Sequence, residues 1–330
     1  MKLIIDKFWI SISIVFFFLT FLPIGAIIMY LASPILEFIG PMVPGDTFPL
    51  FFTWDLFQRA LIASLIASIV GGFLGTFLLI RNLSLIGDGL AHVSFGGVAV
   101  GVVVGVFIGG FSPLWYALFF TIIASISIEQ LRSREILTGD ASIAIFLTGT
   151  LGLGMVILRL WGGATYTDIE SYLFGDLLLI DEASLNFISF ISIISIISIL
   201  YLYHSLLAIS IDPIAARVQG LPVSSIGIYF SVITAVVVVS MVQLVGVLLV
   251  TAILITPSAT AQLIGKSFRS CIIYSQLFGI LIIILGLYFS AELGTGSGSM
   301  IALVAAMIFS LVAVSKIVLK VVIQPNKNLN

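Results

Sequence analysis

The sequence predicts an all-α protein, a polytopic transmembrane helical bundle with about nine or ten membrane segments. Of the 330 residues, 61% are hydrophobic and only 8% are charged, whereas about 25% are charged in an ordinary soluble domain. The hydrophobic residues are gathered in runs of about 20, which is the length that an α-helix needs to cross a lipid bilayer. Since no long polar block interrupts these runs, we expect a single transmembrane unit and no separate soluble domain.

The charge balance and the cysteine content exclude several classes of function. The chain has 13 lysines and arginines against 15 acidic residues, so it offers no basic face for nucleic acid. Cys271 is the only cysteine, which excludes an intrachain disulfide and a cluster of thiolate metal ligands. We interpret Cys271 as a small buried apolar residue.

The first predicted helix lies in an extra N-terminal region, residues 1–54. Its apolar run extends from Phe8 to about Leu31 and is long enough to indicate a retained transmembrane helix rather than a cleaved signal peptide. Residues 34–54 contain four prolines and two glycines. This composition breaks helices and predicts an external loop.

Nine further segments are predicted in the main transmembrane unit, residues 55–322, and residues 323–330 are predicted to form a cytoplasmic tail. The approximate bounds of these segments are 55–80, 88–111, 114–131, 141–161, 183–207, 224–242, 246–257, 271–291 and 299–321. The segment 246–257 is too short to cross comfortably by itself and ends at Pro257. It therefore predicts a half-helix that packs inside the bundle.

The distribution of basic residues predicts the orientation. If the N-terminus is inside, eleven of the thirteen lysines and arginines fall on the inner side, and only Arg59 and Arg159 fall at outer ends. Because cytoplasmic loops collect lysine and arginine, we expect ten segments with both termini cytoplasmic. The outer side collects acidic residues such as Asp46, Asp181 and Glu292, which we interpret as a solvated rim.

Residues 81–99, RNLSLIGDGLAHVSFGGVA, place Asp88 and His92 four positions apart in otherwise apolar sequence. Such a pair lies on one face of a helix. An acidic residue at the centre of a spanning helix costs roughly 2.5–3.5 kcal/mol and marks, as a rule, an ion or substrate path. A carboxylate and a neutral imidazole suit Mn²⁺, Zn²⁺ or Fe²⁺, but the same pair could form a structural hydrogen bond. The residues alone leave both interpretations open.

Other candidate motifs fail on their chemistry. The tripeptide Gly265-Lys266-Ser267 lacks the earlier glycine of a nucleotide-binding loop, since Thr260 occupies that position and no strand precedes it. We therefore expect no ATP site in this chain. His204 is the only other histidine and fits an interfacial anchor, so a zinc peptidase site of the H-E-x-x-H type is also excluded.

Four stretches in order along the chain resemble the membrane permease subunits of ATP-binding-cassette (ABC) importers for zinc, manganese and iron. They are RNLSLIGDGLAHVSFGGVAVG (81–101), ESYLFGDLLLI (170–180), DPIAARVQGLP (212–222) and VGVLLVTAILITPSATAQLI (245–264). The match covers about residues 55–320 and is specific to the family but not to one metal. The additional residues 1–54 depart from the family pattern, as do Gly89 and Ala91, which replace residues common beside the Asp and His.

The resemblance implies a type II ABC-importer fold, in which two permeases form a homodimer around a central path. It also implies separate cytoplasmic ATP-binding subunits, an extracellular metal-binding protein and a location in the plasma membrane of a prokaryote. The chain would then not be an enzyme and would hold no permanent cofactor, only the transported divalent metal. Asp88 and His92 match the family's metal-coordinating positions. The positions that match the segment docking on the ATPase are Asp212, Pro213, Ala216, Arg217 and Gly220.

Two other transport functions stay open at this stage. A permease for a metal chelate of the siderophore or cobalamin type would not need a direct ligand pair. A proton-coupled secondary transporter would use Asp88 as a proton relay and would recruit no ATPase. A membrane enzyme is disfavoured, because the sequence shows no serine or cysteine in a plausible arrangement with His and Asp.

Overall fold

The computed structural model describes residues 23–108, 112–161, 175, 177, 180–247 and 250–323. Within these ranges the chain is helical without strands, and nine helices are long and apolar enough to cross a membrane. This confirms the prediction of an all-α membrane bundle. The α-helices in chain order are α1 (Ile24–Ile39), α2 (Leu50–Thr53), α3 (Asp55–Ile80), α4 (Ile86–Ile108), α5 (Pro113–Ser133), α6 (Gly139–Trp161), α7 (Glu182–Tyr201), α8 (Tyr203–Ile211), α9 (Pro213–Val218), α10 (Val223–Val245), α11 (Val250–Leu254), α12 (Thr256–Ile264), α13 (Phe268–Leu293) and α14 (Ser297–Ile323).

An aromatic cluster gathers several helices at one end of the bundle. Phe77, in the last turn of α3, is fully buried. Its ring centroid lies 4.9–6.2 Å from those of three residues near the starts of α8, α10 and α13, namely Tyr203, Phe230 and Phe268. The arginines that end α3 and α5 lie here too, and we call this the basic end.

The N-terminal region is anchored at the opposite end, which we call the acidic end. The side-chain oxygen of Asn186 accepts hydrogen bonds from the N–H groups of Gly25 and Ala26, at 2.7 and 3.2 Å. The Glu292 carboxylate, at the end of α13, accepts hydrogen bonds from the N–H groups of residues 46–48 at 2.9–3.2 Å. These contacts bind the region to α7 and α13.

The helix boundary predicted near residue 34 is wrong, because α1 continues through Pro34 to Ile39. A 3₁₀ turn and the short helix α2 then replace part of the expected loop. Proline inside a helix removes one hydrogen-bond donor and crowds the carbonyl group four residues earlier. The Ser33 hydroxyl, next to the exposed Pro34, donates to Gln58 of α3 at 2.8 Å, and this contact holds the helix in place. The N-terminal part of the predicted helix, residues 8–22, lies outside the described residues.

The half-helix predicted at 246–257 is part of a crossing made by two short helices. Both α10 and α13 begin at the basic end, so the chain between them returns from the acidic end to the basic end through α11 and α12. The helix breaks at Ile255, and Pro257 lies in the first turn of α12 rather than at the end of the segment. Proline is tolerated there because N–H groups in a first turn have no helical acceptor. Together with the eight long helices from α3 onward, this crossing accounts for the nine segments predicted in residues 55–322. The crossing predicted in residues 1–54 stays a prediction, because the described part of α1 contacts α3 and α7 near their starts, both at the acidic end.

Helix α4 packs closely between α5 and α6 through glycines. A Cβ atom on Gly97 would lie 2.7 Å from the Cα of Ala117, and one on Gly101 would lie 2.8 Å from the Cα of Pro113. These distances leave no room for a side chain at either position. Cys271, expected to be buried, is only half-buried at the start of α13.

Candidate metal site

An elbow between α3 and α4 determines where Asp88 lies. Asn82 adopts a left-handed conformation with φ of 54°, which asparagine tolerates better than most residues. The Leu83 N–H then bonds to the carbonyl of Leu78 at 2.9 Å. Helix α4 begins at Ile86, so Asp88 lies in its first turn, where free N–H groups and the helix dipole favour negative charge.

The position of Asp88 along the bundle follows from the packing of Leu254. This fully buried residue lies between Gly75 of α3 and Gly87 of α4, and a Cβ atom on either glycine would collide with it. Gly87 is therefore level with Gly75, which lies five residues, or about 8 Å, before the end of α3. Asp88 lies in the third of the bundle nearest the basic end.

The Asp88 and His92 side chains face each other across one helical turn. The Nε2 atom of His92 lies 3.7 Å from Oδ1 of Asp88, which is too long for a direct hydrogen bond. The structural hydrogen bond considered above is therefore not formed. For an ion about 2.1 Å from both atoms, a distance typical of zinc sites, the Oδ1–ion–Nε2 angle would be roughly 125°. The Asp88 side chain is 37% exposed and the His92 side chain is 15% exposed, so the pair opens to the surface of the protomer.

The two groups alone would be an incomplete set of metal ligands. No cluster of three or more His, Cys, Asp or Glu side chains occurs within the part of the chain that the structure describes. The Nδ1 atom of His92 is buried and has no hydrogen-bond partner among the same residues, so no second partner selects the tautomer of the imidazole. A third His, Cys, Asp or Glu ligand would have to come from outside this described part of the protomer.

A tight contact explains why glycine occupies the position after Asp88. A Cβ atom on Gly89 would collide with Cγ2 of Ile143 on α6, and Ala91 is completely buried. These two positions were noted as departures from the family pattern. Here they allow α4 to approach its neighbours at the level of the candidate ligands.

The predicted docking segment forms the short helix α9 at the basic end. Asp212 caps it, since Oδ1 accepts hydrogen bonds from the N–H groups of the second and third helical residues at 2.9 Å. Pro213 occupies the first position, where proline is favoured. Ala216 faces inward and is buried. Gly220 follows the helix with φ of 83°, a conformation that glycine adopts readily.

The outward face of α9 carries residues that the sequence analysis did not single out. Arg217 is exposed, as expected for a docking residue, and two apolar residues flank it. Ile214 is 75% exposed and Val218 is 84% exposed. Together these three side chains form a mixed apolar and basic surface, far from the Asp88–His92 pair in the chain and on a different helix.

Sequence analysis also missed a buried ion-pair cluster beside the elbow. The Arg81 guanidinium donates to Glu129 of α5 at 2.9 Å, and both side chains are only 3% exposed. Arg132 contacts the same carboxylate at 2.7 Å. Burial lowers the pKa of Arg81, and the neighbouring Glu129 carboxylate opposes that shift. The spacing of Glu129 and Arg132 could have indicated a local pair, but the partnership with Arg81 spans 48 positions and leaves no sequence signal.

The stretch 170–180 lies largely outside the described residues. Gly175 is described and has φ of 68°, and a Cβ atom there would collide with the backbone at Gly246. Two of the four stretches that carry the family resemblance therefore meet in close backbone contact.

Comparison with known proteins agrees with the architecture and with the resemblance. A model of the ABC 3 transport family matches residues 53–316. The manganese transport system membrane protein MntC of Listeria monocytogenes is 33% identical over 256 residues, covering 78% of this chain and 89% of that protein. PsaBC from Streptococcus pneumoniae, solved in complex with Fab, has a TM-score of 0.68 at 30% identity and covers 78% of this chain and 91% of its own.

A second solved structure extends the likeness of fold. A transporter described as of the metal-chelate ABC type, in an inward-facing conformation, has a TM-score of 0.61 at 18% identity and covers 92% of this chain and 99% of its own. At that identity the likeness concerns the fold alone. The family match spans most of the chain and includes both the candidate metal site and α9, so this protein belongs to the ABC 3 transport family.

Proposed function

We propose that this chain is the permease subunit of an ATP-driven importer of divalent transition-metal ions, with manganese as the first candidate and zinc or iron as alternatives. In this proposal Asp88 and His92 hold the ion transiently during its passage. The observation that carries the proposal is the 3.7 Å separation of Oδ1 and Nε2 in a member of a family whose relatives include a manganese transport protein. No permanent metal is required.

An incomplete site suits transport. Conduction requires binding that is favourable enough to admit an ion and weak enough to release it, and two protein ligands satisfy that requirement better than a closed set of four. The exposed side of Asp88 would face a second copy of the permease. A two-fold axis between the copies would then bring two Asp88–His92 pairs to the same path.

The two ends of the bundle fit different partners. We assign the basic end to the cytoplasm, because basic residues mark cytoplasmic loops, and we assign α9 to the contact with a separate ATP-binding subunit. Exposed Ile214 and Val218 beside Arg217 support a protein contact there. The acidic end would receive the metal from an extracellular binding protein. The location would be the plasma membrane of a prokaryote, with both termini cytoplasmic.

The test is manganese uptake by cells that produce variants at equal membrane levels. Asp88→Ala and His92→Ala are expected to abolish accumulation, measured by elemental analysis. Asp140→Ala and His204→Ala are matched controls, because both side chains are exposed at the basic end, and they are expected to retain uptake. Undiminished uptake by both site variants would refute the site.

Uptake and copurification measurements separate the remaining alternatives. A chelate permease would accumulate the chelated metal, with Asp88→Ala and His92→Ala leaving that uptake intact. A secondary carrier would copurify with no ATPase, and membership of the ABC 3 family argues against it. Copurification of an ATPase that is lost on Arg217→Glu would support the proposed assembly.

A further inference from the structure

The cluster of Arg81, Glu129 and Arg132 joins the end of α3 to α5 next to the elbow. Arg132 holds both carboxylate oxygens of Glu129, with Nε 3.0 Å from Oε2 and Nη2 2.7 Å from Oε1. This bidentate contact orients the carboxylate so that its Oε1 atom also accepts a hydrogen bond from Nη2 of Arg81, 2.9 Å away. The other terminal nitrogen of Arg81, Nη1, is buried and has no hydrogen-bond partner among the described residues. The polar contact of Arg81 thus depends on one carboxylate.

Helix α10 closes the third side of this cluster. The Arg81 guanidinium carbon lies 5.0 Å from the ring centroid of Phe230, within the range of a cation–π interaction. Gly227 lies one turn earlier, and a Cβ atom there would collide with Oε1 of Glu129 and lie 3.5 Å from Nη2 of Arg81. The backbone of α10 is therefore pressed against the ion pair, and any side chain at Gly227 would displace it.

The cluster connects the two functional regions of the chain. Gly227 lies one turn inside α10, which follows α9 after the four-residue linker 219–222. Arg81 ends α3 and is followed directly by the left-handed Asn82, so its position determines how the elbow directs α4. Asp88 lies in the first turn beyond that elbow. A displacement of α9 would consequently reach the elbow through Gly227 and Glu129.

We propose that the Arg81–Glu129 pair is a joint that transmits the movement of α9 and α10 to the elbow before Asp88, and that both side chains are positioning residues for transport. This inference rests on the proposed function. Charge-assisted hydrogen bonds in a low-dielectric interior are short, directional and strong. Such contacts hold a relative orientation of helices more strictly than apolar packing does, because apolar side chains can slide past each other.

The experiment measures the coupling of ATP hydrolysis to transport. The permease is reconstituted in liposomes with its ATPase subunit, the manganese-loaded binding protein and ATP, and the number of ATP molecules hydrolysed per Mn²⁺ accumulated is determined. Glu129→Gln preserves the size of the side chain and removes its charge, and Gly227→Ala displaces the pair. Gly105→Ala is the matched control, because a Cβ atom there meets nothing within 4 Å.

We expect both test variants to lower Mn²⁺ accumulation at least tenfold while ATP hydrolysis stays within twofold of the unaltered complex. The ratio of ATP to Mn²⁺ should then rise at least fivefold, with no rise for Gly105→Ala. An unchanged ratio in the test variants, including a parallel loss of both activities, would overturn the joint and leave the cluster a purely structural element.

A pair of substitutions at Arg81 decides the matter if Gly227→Ala or Glu129→Gln does not assemble. Arg81→Lys keeps the charge and one hydrogen bond, so its ratio should stay within threefold of the unaltered complex, whereas Arg81→Gln should show the full rise. Equal ratios for the two would refute the proposal. If the unaltered complex accumulates none of Mn²⁺, Zn²⁺ and Fe²⁺, each supplied separately, the proposed function is refuted instead, so the two failures are distinguishable.

Discussion

Three glycines on α3 and α4 provide a graded test of how tightly the candidate site is enclosed. A Cβ atom on Gly75 would collide with the backbone carbonyl of Leu254, one on Gly89 would collide with the side chain of Ile143, and one on Gly105 would meet nothing within 4 Å. Replacement of a helical glycine by alanine gains about 1 kcal/mol, and overpacking costs about 1–3 kcal/mol. The balance between these two effects differs at each position.

The expected order of stability follows from what each new methyl group meets. Gly75→Ala should lose about 2 kcal/mol, since a backbone atom cannot move aside cheaply. Gly89→Ala should lose about 1 kcal/mol, because the Ile143 side chain can change its conformation in part. Gly105→Ala should gain up to about 1 kcal/mol. Thermal unfolding of the purified protein, followed by tryptophan fluorescence, gives the order of the melting temperatures.

A double substitution tests the cause at Gly89. Ile143→Ala alone should cost about 2–5 kcal/mol through the cavity that it leaves. Combined with Gly89→Ala it should cost less than the sum of the two single changes, because the new methyl group occupies the vacated space. Gly75→Ala melting as high as Gly105→Ala, or strict additivity at Gly89 and Ile143, would refute the packing that places Asp88.

Three further predictions concern the acidic end and α9. Glu292→Ala should release residues 46–48 and speed their proteolysis, whereas Glu182→Ala, another exposed acid at that end, should not. Asp181→Ala should lower the free energy of unfolding by about 1 kcal/mol at pH 7 through loss of the α7 cap. Hydrogen bonds at this cap lower the pKa of Asp181, so the difference in stability between the two proteins should persist at neutral pH and disappear as the pH falls through the lowered pKa. Unfolding of both proteins, measured from pH 7 down into the acidic range below the ordinary pKa of aspartate, would show this. Ile214→Ala should weaken ATPase binding about fivefold, measured by titration of the purified subunits, and unchanged binding would exclude α9 from that contact.

Much of the fold could be predicted because the length of an apolar span is a local property of the sequence. The helix predicted at 55–80 matches α3, since its apolar run is long and its ends are polar. The pair Asp88 and His92 could be found because helical periodicity alone puts the two side chains on one face. The cap formed by Asp212 and Pro213 follows from the same kind of local chemistry.

Contacts between distant segments account for what the sequence did not reveal. Pro34 predicts the end of a helix, but α1 continues because Ser33 is held by Gln58, 25 positions away. Pro257 predicts the end of a short segment, yet it lies in the first turn of α12 because the break falls at Ile255. Glu129 appeared unremarkable until the fold placed it against Arg81. For α1 and for Glu129, the deciding contact joins residues that are far apart in the chain.

The two breaks in the bundle depend on each other. The elbow after α3 and the break between α11 and α12 are far apart in sequence, but both meet at Leu254, which packs against Gly75 and Gly87. Leu254, the residue before the second break, packs between the two helices that the elbow joins, and Asp88 follows directly after this shared contact. A change in either break would move the first turn of α4, which makes this contact the place where the geometry of the candidate metal site is determined.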